Sequence, residues 1–199
     1  MVAEAAARGH QVTAFSRALP TEPVPGVTYV QGDARDEAAL SSVVAGADVV
    51  VAALAPRGPL AGSTFRNVYR IVARLADAAG ARLFVVGGFS SLRPAAGAPR
   101  YVEDLSHAPA EFHDEIRTGA ALVIDDLPAT PETLDWVFVS PAGGFGSYVP
   151  GERLGRYRVG GEVAVEPEGG AISGADYALG LVDLIEKGDQ HRAHVNLAH

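Results

Sequence analysis

The chain has no cysteine, which excludes disulfides, thiol redox chemistry and Cys-ligated metals. Lysine is almost as scarce, with Lys187 the one example, and there is one Met and one Trp. No basic-then-apolar leader opens the sequence. The longest strongly apolar run, 47–55, is interrupted by Asp48 and falls short of the ~20 residues that span a bilayer. Positive charge is also in deficit. A net charge of -8 and a pI near 5.2 argue against nucleic acid or an anionic membrane as a partner. These absences leave a soluble, cytoplasmic protein acting on a small molecule, with monomer and homodimer both open. At 199 residues and 48% hydrophobic, the chain suits one well-cored domain over residues 1–199 and is short for two.

What is present alternates between two periods. Residues 1–8 read as a short helix closed by Gly9, and 11–15 as a strand. VTYVQ is a second strand, and ARDEAALSSVVAG a helix ending at Gly46. ADVVVAAL, RLFVVGG and LDWVFVSP are nearly uninterrupted apolar runs, as expected for strands buried on both faces of a parallel sheet. STFRNVYRIVARLADAAG is the clearest helix, with Ser63 as the expected N-cap and Gly80 as its end. A helix over 109–127 opens on Pro109, and ADYALGLVDLIEKG and RAHVNLA supply a last helix and strand. Strand–helix alternation of this kind predicts an α/β fold, a doubly wound parallel sheet with helices on both faces. Residues 146–199, polar and Gly-rich at first, read as a substrate-side appendage on the same core.

In such a sheet the ligand lies beyond the carboxyl ends of the strands. Ser16-Arg17 ends the first strand, where a cation suits a ribose 2′-phosphate and so NADP(H) over NAD(H). Asp33 ends the next, placed either to accept from an adenine amino group or to cap the helix near Asp36. Ala53, Leu54, Gly87, Gly88 and Pro141 end the central strands, and the small ones let a flat ring approach the backbone. Ser90 and Ser91 are candidates to hydrogen-bond a substrate carbonyl, with a polar loop the plainer reading. His113 is a candidate proton donor, although a surface histidine is the commoner case. His191 and His194 have a loose metal-ligand spacing without a third ligand, so no metal is expected. Phe145, Tyr148 and Tyr157 are candidates to wall a flat pocket, with plain packing the alternative.

HQVTAFSR, VQGDARD, AGADVVVAAL, RLFVVGGFSSL, LDWVFVSPAGGF, GRYRVGG and ISGADYALGLVDLIE occur in that order. Together they resemble the NmrA-like group of atypical short-chain dehydrogenases, and more narrowly the small NAD(P)H-binding reductases of flavin and biliverdin. The resemblance covers essentially the whole chain. It implies a Rossmann core, NADPH along the strand ends, and a substrate pocket built after Pro141.

Two departures stand out. The family's first strand and its G-x-x-G-x-x-G turn, whose N–H groups hold the pyrophosphate, precede the helix that begins here at Met1. The expectation is a start assigned too late and a vacant central slot beside the strand at 11–15. Tyr-x-x-x-Lys, the family's usual acid–base pair, is also absent, because Lys187 is preceded four residues earlier by Asp183. The reading is therefore an NAD(P)H-dependent reductase of a flat acceptor, with flavin a candidate substrate. The alternatives are a non-catalytic NAD(P) sensor and an inactive, truncated fragment.

Overall fold

The computed structural model describes residues 1–106 and 108–199. In chain order its elements are α1 (Val2–Ala7), β1 (Thr13–Ser16), β2 (Thr28–Gln31), α2 (Glu37–Val44), β3 (Val49–Ala52), α3 (Ser63–Ala79) and β4 (Arg82–Val86). Then follow α4 (His113–Ala121), β5 (Trp136–Pro141), β6 (Arg158–Gly160), α5 (Gly174–Lys187) and β7 (Ala193–Ala198).

The apolar runs become the centre of a five-stranded sheet of order β3-β4-β5-β7-β6, parallel except for antiparallel β6. Alternate strand residues face opposite sides. Leu83, Val85, Trp136 and Phe138 meet α3, whose apolar stripe buries Phe65, Val68, Tyr69, Val72, Ala73 and Ala76. Phe84, Val137, Val139, Val195 and Leu197 meet Tyr177, Leu181 and Leu184 of α5 on the other side. Helices on both faces of a mostly parallel sheet make this a Rossmann-like, doubly wound α/β fold.

Strands β1 and β2 stand apart. They pair with each other, parallel, from Thr13↔Thr28 to Ser16↔Gln31. Among the described residues neither joins the larger sheet, so β1 and β3 each have a neighbour on one side only. Phe15 and Ala34 reach the α3-side core by side-chain packing instead of a ladder. Val51, in the middle of β3, is 38% exposed, which is unusual for a valine in the middle of a sheet strand.

Three local expectations need correction. Ser63 is the first helical residue of α3 and not its cap. Gly62 holds the cap position at φ 59°, a left-handed entry that serine adopts only with strain. The single helix expected over 109–127 is three pieces: a 3-10 turn at Ala110–Phe112, α4, and a π-turn at Leu122–Asp126. In the last piece the Leu127 N–H bonds the carbonyl of Leu122 at 2.8 Å, which turns both leucines into the core. Finally, the tail beyond residue 146 enters the main sheet, because β7 inserts between β5 and β6 and is fully buried from Val195 to Ala198. Asp176, 0% exposed at the start of α5, ties that tail down. Its carboxylate accepts from the N–H groups of Leu154 (2.7 Å) and Gly155 (2.9 Å), from Ser173 Oγ and from His199 Nε2.

Candidate functional site

The parallel strands β3, β4, β5 and β7 bring Ala52, Val86, Pro141 and Ala198 to one edge of the sheet. At the end of β4, Gly87 is required by contact: a Cβ there would lie 2.0 Å from the Phe138 ring. At Gly88 a Cβ would meet nothing within 4 Å, so the backbone is bare on that side. Ser90 and Ser91 follow in a 3-10 turn, Ser90 half-buried and Ser91 buried. Pro141 is buried at the end of β5, opposite Leu197.

Ala53 and Leu54 continue β3, and the Tyr69 hydroxyl clamps that end. It accepts from the Leu54 N–H at 3.1 Å and lies 3.4 Å from the Ala52 carbonyl. Burial pushes the Tyr69 hydroxyl well above its ordinary pKa. The Tyr177 hydroxyl, also pushed up by burial, donates to the Val139 carbonyl at 2.8 Å. Both tyrosines are thereby committed to the backbone and hold their protons.

At the end of β1, Ser16 Oγ donates to the Ala18 carbonyl, and Gln31 donates to the carbonyl of Arg17. The Arg17 side chain is exposed and, among the described residues, forms no hydrogen bond or ion pair. Asp33 is engaged by Arg35, through Nε–Oδ1 at 3.0 Å, Nη2–Oδ2 at 2.6 Å and the Arg35 N–H at 2.9 Å. Arg35 first, then the nearby charge of Arg17, holds the Asp33 carboxyl down to about 2. The α2 cap is Asp36, accepting from the Ala38 and Ala39 N–H groups.

His113 begins α4, with Nε2 donating to the Ala108 carbonyl at 2.9 Å. The aromatic trio does not form one wall. Phe145 packs on Tyr177 with centroids 4.6 Å apart, the Tyr157 hydroxyl donates to Asp183, and Tyr148 is 77% exposed. The two histidines also part. His191 is exposed beside Asp135, while His194 is half-buried against Ser140, and no cluster of three metal-ligating side chains occurs among the described residues. Among the described residues no helix is long and apolar enough to cross a membrane.

Sequence reading passed over the groups behind the β4 end. Ser140, His194 and Arg100 lie there, dozens of residues apart in sequence. Only a spacing with a different meaning drew attention to His194.

Fold and strand order together define a Rossmann-like α/β protein. The chain belongs to the NAD(P)H-binding family, whose sequence profile matches residues 1–188. It is similar to a protein from Streptococcus pneumoniae proposed to be an NADH-flavin reductase, at 30% identity and a TM-score of 0.83 over 98% of this chain and 90% of that one. A proposed epimerase from Bacteroides thetaiotaomicron gives 28% identity and a TM-score of 0.83, over 98% and 88% of the two chains. A proposed exported protein from Burkholderia pseudomallei gives 33% and 0.78, over 100% and 92%. No curated protein matches the chain.

The residues present fit the two ends of the dinucleotide. Bare Gly88 and the packed Gly87 suit a planar ring, and the unengaged Arg17 suits a phosphomonoester. A pyrophosphate cradle is not among them: α1 has six residues, and no G-x-x-G-x-x-G occurs in the sequence.

Proposed function

We propose that this protein is an NADPH-dependent reductase of a flat acceptor such as a flavin or quinone, acting on a small molecule in the cytoplasm. The observation that carries this reading is the β4 end, a bare glycine backbone with no tyrosine–lysine pair beside it. Tyr69 and Tyr177 are pinned inside the core, and Lys187 ends α5. A reaction that places a proton on a carbonyl oxygen needs a positioned acid, whereas hydride transfer to a conjugated ring lets water complete the protonation. A bound dinucleotide would supply the hydride. Gly87 and Gly88 would present the flat surface, Arg17 would pair with the 2′-phosphate, and Ala53, Leu54 and Pro141 would border the ring. Ser90 and Ser91 flank the acceptor.

The reading includes one further strand between β1 and β3, followed by a glycine-rich turn leading into α1. The one-sided pairing of β1 and β3 and the exposure of Val51 support it. The test is NADPH and NADH binding, then NADPH oxidation against flavins, quinones and small carbonyls. It is run on the 199-residue chain and on a form extended upstream by about 15 codons, enough for a ~5–6-residue strand and a turn. We expect weak or no binding by the shorter form, and flavin or quinone turnover by the longer. Turnover confined to carbonyls overturns the mechanism. Tight NADPH binding without turnover favours a sensor instead, the reading to which the lack of an acid–base pair also points.

A further inference from the structure

A closed ring of hydrogen bonds lies directly behind the β4 end. Ser140 Oγ is 2.9 Å from the Gly88 carbonyl and 2.8 Å from His194 Nε2. Arg100 Nη1 lies 3.5 Å from His194 Nδ1 and donates to the Ser91 carbonyl at 2.6 Å. The Ser91 N–H returns to the Gly88 carbonyl at 3.3 Å, closing the circuit. Ser140 is 0% exposed, so its hydroxyl is not a nucleophile for any external substrate.

Proton counting assigns every donor. A serine hydroxyl has one hydrogen, and a carbonyl can only accept. The Ser140 hydrogen therefore goes to Gly88, and His194 Nε2 must supply the hydrogen between the two side chains. Nδ1 then carries a lone pair, which faces a guanidinium that can only donate. The opposite tautomer sets Nδ1–H against Arg100 and costs Gly88 its hydroxyl donor. The imidazolium does the first of these as well.

The surroundings agree. Burial first, then the charge of Arg100, lowers the imidazole to about 4, with Glu162 pulling weakly the other way. Glu162 is itself held by Arg93 and Arg100. The Phe138 ring, which occupies the space a Gly87 side chain would need, meets His194 edge-on at 5.2 Å.

We infer that His194 is a positioning residue: neutral and protonated at Nε2, it aims the Ser140 hydroxyl at the Gly88 carbonyl and so fixes the Gly88–Ser91 turn. The catalytic meaning of that turn rests on the reductase reading, but the positioning does not. The ring joins the end of β4 to β5, β7 and Arg100, so a change at one member is felt at the turn.

The first measurement is side-chain ¹⁵N NMR of the full chain from pH 5 to 8, where we expect neutral, Nε2-protonated His194. An Nδ1–H tautomer or an imidazolium in that range overturns the inference. The second is amide exchange at Ser91, referred to exchange at Val139. We expect at least about fivefold faster Ser91 exchange in His194→Ala and Ser140→Ala, as for loss of one hydrogen bond. His194→Gln keeps an N–H donor and should restore protection. As pH falls towards 4, Ser91 protection should fall in the wild type and persist in His194→Gln. Equal acceleration at Ser91 and Val139, or no rescue by Gln, reduces His194 to a core residue and sinks the proposal. Both measurements are free of turnover, so an upstream-extended form that turns over no acceptor defeats the reductase reading and leaves this result standing.

Discussion

The β1–β2 pair and the five-stranded sheet are built from similar β-branched and aromatic sequence, yet they are anchored differently. Strand β5 is buried at all six positions and hydrogen-bonded on both sides. Neither β1 nor β2 has one fully buried residue, and their link to the core is chiefly Phe15. A strand's stability comes from its neighbours on both edges and both faces more than from its own propensity. The region holding Arg17 and Asp33 is therefore the part expected to open first, while the β4 end rests on the rigid part.

The contrast should be largest at Phe138. Phe138→Ala empties the space between Gly87, His194 and α3 and should cost about 3–5 kcal/mol, seen as a lower urea midpoint for the whole chain. Next is Asp176→Ala, which strands the Leu154 and Gly155 N–H groups and should cost about 1.5–3 kcal/mol, the range for hydrogen bonds to a charged group. Burial opposes ionisation of that carboxyl, but its four donors more than offset this and hold it down to about 2. Its folded-state pKa is depressed, so its contribution is complete above about pH 4 and is lost as pH falls towards 2. Denaturation midpoints from pH 6 to 2 should show that loss in the wild type and not in Asp176→Ala.

Phe15→Ala, at a half-buried site, should cost only about 1–2 kcal/mol. Its amide-exchange changes should stay within residues 13–31; if they spread to β4 and β5, the two sheets are one cooperative unit and the contrast fails. Arg17→Ala should leave the denaturation midpoint unmoved. In the upstream-extended form it should narrow the NADPH-over-NADH preference by about tenfold, as for a lost charge-assisted hydrogen bond. Equal affinities before the substitution would remove Arg17 from the site.

Elements whose local pattern and burial agree were legible in sequence. The runs at 82–86 and 136–141 read as strands covered on both faces and are so, the run at 49–52 is a strand but leaves Val51 exposed, and Gly80 ends α3 in the left-handed conformation expected of it. The polar stretch 151–170 concealed β6, because an antiparallel edge strand half open to water carries no apolar run. The strand-end glycines were also legible, but the ring behind them was not. Gly88, Ser91, Arg100, Ser140 and His194 meet only after β7 slides between β5 and β6, and no local spacing encodes that meeting.

Sequence alone determined the α/β class, the carboxyl-edge location of the candidate site and the lack of a Tyr-x-x-x-Lys pair, since each depends on residue type and short-range period. Tertiary structure decided the rest. It separated β1–β2 from the main sheet, because ladder pairing is a contact between distant segments. It set Asp33 against Arg35 instead of leaving it free. It turned His194 from one half of a loose histidine spacing into a half-buried neutral donor, because a side chain's proton and partner are fixed by what surrounds it in space.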